Sequence, residues 1–280
     1  MKCPAYYNGT ILPLEELSIP AMDRAVYFGD GVYDVAYGKN GKYFRIDDHL
    51  NRFFNSCRLL EINLGLTHDE LLGELDRLLA CCDDTSSFVI YFQASRGTAP
   101  REHSYPENTR ANLMMFISSK KLADLTHPIQ LITADDIRYS MCNVKTINLI
   151  PNVMASEKAK EAGCAEAVFI RDGRVTEGSH SNVHILKDGK FITAPLDNHI
   201  LPGIARSHLI LLCGQLGIPV EERIYTPEEL ENADEILISS TTTLCRRADR
   251  LNGRPVGGKA IALYESLRDA YLHMIDECCR

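Results

Sequence analysis

Lys145 stands in Asn143-Val144-Lys145-Thr146-Ile147-Asn148-Leu149-Ile150, a stretch with no other charge that runs into a helical pattern. An amine among apolar groups loses part of the solvation that favours its ammonium form, and the neutral amine is the form that attacks an aldehyde. Alone this is a weak signal, because most lysines are solvated surface charges. A second feature is Pro202-Gly203-Ile204-Ala205, placed ahead of the helical run Leu209 to Leu216. The first N–H groups of a helix have no partner within it and point outward, which suits an anion such as phosphate. A third is the loop Arg96-Gly97-Thr98-Ala99-Pro100-Arg101-Glu102-His103, dense in cationic and titratable groups. Its bland reading is a charged surface loop.

These groups need elements to position them. Asn8-Gly9, Asn40-Gly41, Asp172-Gly173 and Asp188-Gly189 each read as a two-residue hairpin turn with positive φ. After Asp47-Asp48, residues Leu50, Phe53, Phe54, Cys57 and Leu60 recur at helical spacing. Thr67 and Glu70 form a capping box ahead of Leu71, Leu72, Leu75, Leu78 and Leu79. Phe88 to Phe92 and Leu113 to Ile117 read as strands around a loop from Gly97 to Pro106. A helix is expected over Asn152 to Ala162, stopped by Gly163, and a short one behind Thr226, Pro227 and Glu229. The apolar pattern lapses from Ser118 to Pro128, so an interdomain linker is expected there. That gives an N-terminal α/β domain over 1–120 and a larger, mixed and barrel-like C-terminal domain over 121–280, an α+β or α/β architecture.

The chain has 280 residues, 45% hydrophobic and 24% charged, which is ordinary globular composition with room for two domains. A formal net charge of -8 argues against a phosphate-backbone binder, so no nucleic acid is expected. No apolar run nears the ~20 residues of a membrane span, and the start Met1-Lys2-Cys3-Pro4 lacks a signal-peptide core; the expectation is no membrane and a cytoplasmic location. The ten cysteines include no CxxC, and Cys81-Cys82 and Cys278-Cys279 are adjacent. Neither a disulfide framework nor a metal site is expected.

Three segments, Phe28-Gly29-Asp30-Gly31-Val32-Tyr33-Asp34, Val175-Thr176-Glu177-Gly178-Ser179-His180-Ser181-Asn182-Val183 and Leu201-Pro202-Gly203-Ile204-Ala205-Arg206, join the Lys145 segment in one ordered pattern. In order and spacing the four resemble the fold-type IV pyridoxal-phosphate enzymes, over essentially the whole chain. The resemblance implies pyridoxal 5'-phosphate held by Lys145 as a Schiff base. It makes Glu177 the carboxylate facing the pyridine nitrogen, whose proton keeps the ring an electron sink. Ser181 and Asn182 follow as cofactor contacts. The phosphate would be taken by the amides of Ile204 and Ala205, by Arg52 and by Thr241. Family members usually carry threonine where this chain has Ala205, so one hydrogen bond to phosphate is expected to be missing.

The loop with Arg101 and His103 resembles that of D-amino-acid aminotransferases, where an arginine and a histidine two apart hold the substrate carboxylate. Tyr33 matches the tyrosine that completes this trap, and Arg138 an arginine that supports the site. Branched-chain aminotransferases typically place tyrosine five residues after the lysine, where this chain has Ile150. Aminodeoxychorismate lyases typically place arginine four after it, where this chain has Leu149. His180 replaces the usual serine and, with Thr242 in the Ser240 to Thr242 turn, is expected to shape the substrate pocket. The implied reaction moves an amino group from a D-amino acid such as D-alanine or D-glutamate to a 2-oxo acid by a ping-pong course. A homodimer is implied, with the Arg101 and His103 loop reaching the partner's site. The alternatives are a branched-chain L-aminotransferase, then the lyase, and from another class a silent homologue kept as a binding subunit, against which intact Lys145, Glu177 and Arg52 speak.

Overall fold

The computed structural model describes residues 1–280, folded as two compact units. One comprises Met1–Lys121 with Val144–Asn148 and Glu277–Arg280; the other comprises Leu122–Asn143 with Leu149–Asp276. The Lys145 segment thus folds with the first unit, although it lies inside the second in sequence.

The first unit contains β1 (Pro4–Tyr7), β2 (Thr10–Pro13), α1 (Arg24–Phe28), β3 (Gly31–Lys39), β4 (Lys42–Tyr43), α2 (Ile46–Leu59), α3 (His68–Leu79), β5 (Ser87–Ser95) and β6 (Asn112–Ser119). The strands form an antiparallel sheet in the order β2-β1-β6-β5-β3-β4. Strict alternation along β5 turns Phe88, Ile90, Phe92 and Ala94 to one face, and β6 adds Leu113, Met115 and Ile117. Against that face pack Leu50, Phe53 and Cys57 of α2 and Leu71, Leu75 and Leu78 of α3, forming one core. Each Leu, Ile, Met or Phe among them contributes about 1.5 to 3 kcal/mol by leaving water. The Thr67–Glu70 capping box is formed, and α2 begins at Ile46, so that Asp47 and Asp48 occupy its first turn, where the helix dipole favours carboxylates. Asn8-Gly9 and Asn40-Gly41 both take positive φ as tight hairpin turns require.

The second unit contains β7 (Ile129–Asp135), α4 (Ile150–Glu161), β8 (Glu166–Arg171), β9 (Arg174–Gly178), β10 (Asn182–Lys187), β11 (Lys190–Thr193), α5 (Ile204–Gln215), β12 (Val220–Glu222), α6 (Pro227–Glu231), β13 (Glu235–Ser239), β14 (Arg246–Leu251), β15 (Arg254–Pro255) and α7 (Ile261–Cys278). Its mixed sheet runs β12-β11-β10-β13-β14-β7-β8-β9, with β15 added on β14. β10 also approaches β9, so the sheet curls back on itself. Strands β10 and β13 are buried along nearly their whole length, as befits strands covered on both faces. Inside the curl lie Val183, Ile185, Ile236 and Ile238 with Tyr225 and Leu230, while Ala155 and Ala159 of α4 pack on Ala167 and Phe169. His184 is buried in β10, its ring nitrogens 2.8 Å from Thr193 Oγ1 and from Ser239 Oγ.

Candidate active site

In the first unit the geometry starts at Gly29, which ends α1 in the left-handed conformation. A Cβ here would stand 2.7 Å from Asn148 Oδ1, and Asn148 Nδ2 donates to the Gly29 carbonyl at 2.6 Å. Thr146 and Ile147 both donate to the Gly31 carbonyl, and Tyr33 N–H donates to the Lys145 carbonyl at 2.9 Å. These bonds lace the Lys145 segment to the start of β3. The Lys145 amine is half-buried and 4.3 Å from the centroid of the Tyr33 ring, which stacks on Tyr91. No carboxylate pairs with this amine inside the unit, so it is not committed to a salt bridge there.

One residue beyond Tyr33, Asp34 is wholly buried. It accepts from Arg52 Nε and Nη2 at 2.8 and 2.7 Å and lies 2.8 Å from His49 Nδ1. Burial opposes the charge on Asp34, but the Arg52 guanidinium and His49 outweigh it and hold the carboxyl far below the ordinary range. His49 is pushed down by its burial, against the pull of Asp34. Arg52 is therefore held rigid on α2 by a bidentate partner. Arg101 and His103 are exposed and pack on the Phe28 ring rather than on Tyr33, with the Arg101 guanidinium and the His103 ring each 5.1 Å from its centroid.

In the second unit the buried Glu177 lies one residue before the end of β9. Its Oε1 accepts from Arg138 Nη1, and its Oε2 accepts from Asn182 Nδ2 at 3.1 Å and from Leu201 N–H at 3.0 Å. Arg138 is in turn held by Asp136, with Nε and Nη2 bonds of 2.9 and 2.8 Å. Burial again opposes the charge on Asp136, but Arg138 and Arg171 keep its carboxyl far below the ordinary range. The structure thus brings Glu177, Arg138 and Asn182 together as one carboxylate with oriented donors. A Cβ on Gly203 would fall 1.9 Å from Asn182 Oδ1, so only glycine fits there.

Ser181 Oγ and the His180 N–H donate to Oε1 of the buried Glu166 at 2.9 and 2.7 Å. The His180 ring is more than half exposed, with Nδ1 3.3 Å from the same oxygen. Burial pushes the Glu166 carboxyl up. Ile204 and Ala205 open α5 behind Gly203, which offers no side-chain cap, so their amides have no acceptor within the helix. Thr241 and Thr242 lie in the turn after β13, where the Thr242 carbonyl accepts from Ala123 N–H at 3.0 Å.

Each unit offers donors of the chemistry pyridoxal phosphate needs: the first has an amine without an ion-pair partner within it, and the second has uncapped helix amides suited to a phosphate and a fixed buried carboxylate suited to a protonated ring nitrogen. Asp34, Asp136, Asn148 and Glu166 escaped the sequence reading. Asp34 had a signal, since a carboxylate at a core position of a strand demands a cation, and His49 and Arg52 share a face of α2 with the buried Phe53.

Comparison with known proteins agrees. The family model of class IV amino-transferases matches residues 31–251. A D-alanine aminotransferase of Bacillus licheniformis is 36% identical over 256 residues, covering 91% of this chain and 90% of that one. A D-alanine aminotransferase of Staphylococcus haemolyticus is 35% identical over 97% of both chains. Among solved structures, the branched-chain aminotransferase of Thermoproteus uzoniensis with norvaline superposes with a TM-score of 0.88 at 23% identity, over 98% of this chain and 96% of that one. The branched-chain amino acid aminotransferase of Thermobaculum terrenum in its PLP-bound holo-form gives 0.84 at 22% identity, over 97% and 93%. These structures share the fold-type IV fold, and the family match, with the D-alanine aminotransferases alike over nearly the full chain, makes this chain a member of the class IV aminotransferases.

Proposed function

We propose that the protein is a D-amino-acid transaminase that moves the amino group of D-alanine or D-glutamate to a 2-oxo acid. The likeness to D-alanine aminotransferases along nearly the full chain carries this reading, supported by the paired Arg101 and His103. The chemistry that pyridoxal phosphate supplies when bound is an aldehyde and an electron sink. Lys145 is the amine that carries it, and its Nζ takes the Cα proton of the substrate and returns a proton on the same side. Glu177, fixed by Arg138 and Asn182, holds a proton at the ring nitrogen. Ser181 supports the turn beside it. Arg52, Thr241 and the amides of Ile204 and Ala205 bind the phosphate. Tyr33, Arg101 and His103 orient the substrate carboxylate, while His180 and Thr242 border its side chain. With the carboxylate fixed, only one enantiomer turns its Cα proton toward Lys145.

The reading extends to a homodimer in which the Arg101 loop completes the partner's site. Ile150, Val153 and Met154 line one exposed stripe of α4, joined in exposure by Ile137, Tyr139 and Met141 of the preceding loop. So many large apolar side chains on one short stretch fit a covered surface better than a solvated one. A second copy is the occupant we propose, and an isolated monomer is then inactive. No helix is long and apolar enough to cross a membrane, which is compatible with the cytoplasmic location we propose. The test is a screen of D- and L-amino acids against pyruvate and 2-oxoglutarate. Turnover of D-alanine and D-glutamate with L-alanine and L-leucine inert is expected; turnover of L-leucine alone would replace the reading with a branched-chain L-aminotransferase.

A further inference from the structure

Arg101 and His103 sit on an exposed loop, and such a loop holds a binding geometry only if something rigid fixes its backbone. Arg24, on α1, is nearly fully buried. Its Nε donates to Asp30 Oδ2 at 2.8 Å and its Nη1 to the carbonyl of Glu102 at 2.6 Å. Glu102 is the residue between Arg101 and His103, so this one bond anchors the backbone between them at the peptide that leads into His103. Asp30 Oδ2 also accepts from Arg96 Nε at 2.8 Å, and Arg96 reaches the carbonyls of Leu60 and Glu61 at 2.8 and 3.1 Å. The Arg96 guanidinium lies 3.6 Å from the centroid of the Tyr105 ring, pinning the far side of the loop. At the other end of α1, Phe28 takes the Arg24 guanidinium at 4.8 Å on the ring that also meets Arg101 and His103.

We propose that Arg24 is a positioning residue: by holding the Glu102 carbonyl it sets the orientation in which Arg101 and His103 meet the substrate α-carboxylate. It touches no substrate itself. Two donors in a fixed plane, one to a carboxylate and one to a carbonyl, are what a guanidinium offers and an ammonium does not. Asp30 keeps that plane oriented between Arg24 and Arg96. The inference rests on the role proposed above for Arg101 and His103.

Steady-state kinetics of Arg24→Ala, Arg24→Lys and Arg101→Ala holoenzymes with D-alanine and 2-oxoglutarate test it. Loss of one charge-assisted bond that acts only through carboxylate orientation raises the KM of Arg24→Ala for D-alanine about 10- to 100-fold, with kcat within about 3-fold of wild type. Arg24→Lys recovers only part of that loss. A KM within about 2-fold of wild type in Arg24→Ala, beside a raised KM in Arg101→Ala, overturns the inference alone. A fall in kcat at unchanged KM overturns it as well, marking a merely structural role. Unchanged KM in Arg101→Ala removes the carboxylate role itself. Should Arg24→Ala not accumulate as folded holoenzyme, Arg24→Lys decides: a KM raised about 5-fold or more supports the clamp, and one within about 2-fold overturns it.

Discussion

His184 gives the second unit a calculable sensitivity to acid. Its ring is sealed in β10 between Thr193 and Ser239, and burial, helped by the charge of Arg206, pushes its pKa from 6.5 down to about 3. The native imidazole therefore stays neutral while the unfolded chain takes up a proton below 6.5. Because the folded value is the lower one, the full stability is present above 6.5 and is lost as the pH falls from 6.5 toward 3. At about pH 5 the unfolded state has gained roughly one and a half pH units of protonation free energy, at about 1.4 kcal/mol per unit, so His184 alone costs about 2 kcal/mol. Ser239 leads into the turn bearing Thr241 and Thr242, so weakening this bond loosens the proposed phosphate site with it. Denaturant unfolding of wild type and His184→Gln at about pH 7.5 and about pH 5 measures the effect: between the two, wild type loses about 2 kcal/mol more than the variant. Equal losses would refute the argument, since carboxylates held low by their partners are shared by both proteins.

Asp136→Asn removes the charge that holds Arg138, and breaking a buried ion pair from one side costs about 3 to 5 kcal/mol, measurable as a lower denaturation midpoint together with weaker cofactor retention on dialysis. Gly203→Ala drives a methyl against Asn182 Oδ1 and displaces Asn182 from Glu177, so cofactor binding weakens in a spectrophotometric titration; unchanged binding would contradict the placement of Asn182. Ala205→Thr returns a hydroxyl to the start of α5, and one hydrogen bond to a charged group, worth about 1.5 to 3 kcal/mol, tightens phosphate-dependent cofactor binding about 10- to 100-fold in the same titration.

The local elements were largely legible because short-range chemistry dictates them. Asn8-Gly9, Asn40-Gly41, Asp172-Gly173 and Asp188-Gly189 all take the positive φ that their residue types announce, and Thr67 with Glu70 and Thr226 with Glu229 cap the helices they precede. What the sequence hid were pairings across long separations. Asn148 meets Gly29, Arg24 meets Glu102, and Glu166 meets the turn at His180 and Ser181, each bond decided by tertiary packing that no periodicity encodes. The folding of Val144–Asn148 with the first unit belongs to the same class, since its bonds to Gly31 and Tyr33 are long-range strand contacts. Helix α7 was readable but went unread: Tyr264, Leu267, Tyr271 and Ile275 mark one buried face at helical spacing.

Lys145 carries the cofactor in the proposed mechanism, and borohydride reduction of the purified holoenzyme followed by peptide mass mapping tests that most directly. The added mass of a reduced pyridoxyl group is expected on the peptide containing Lys145 and absent from Lys145→Ala. Label on another lysine, or on none, would contradict the account.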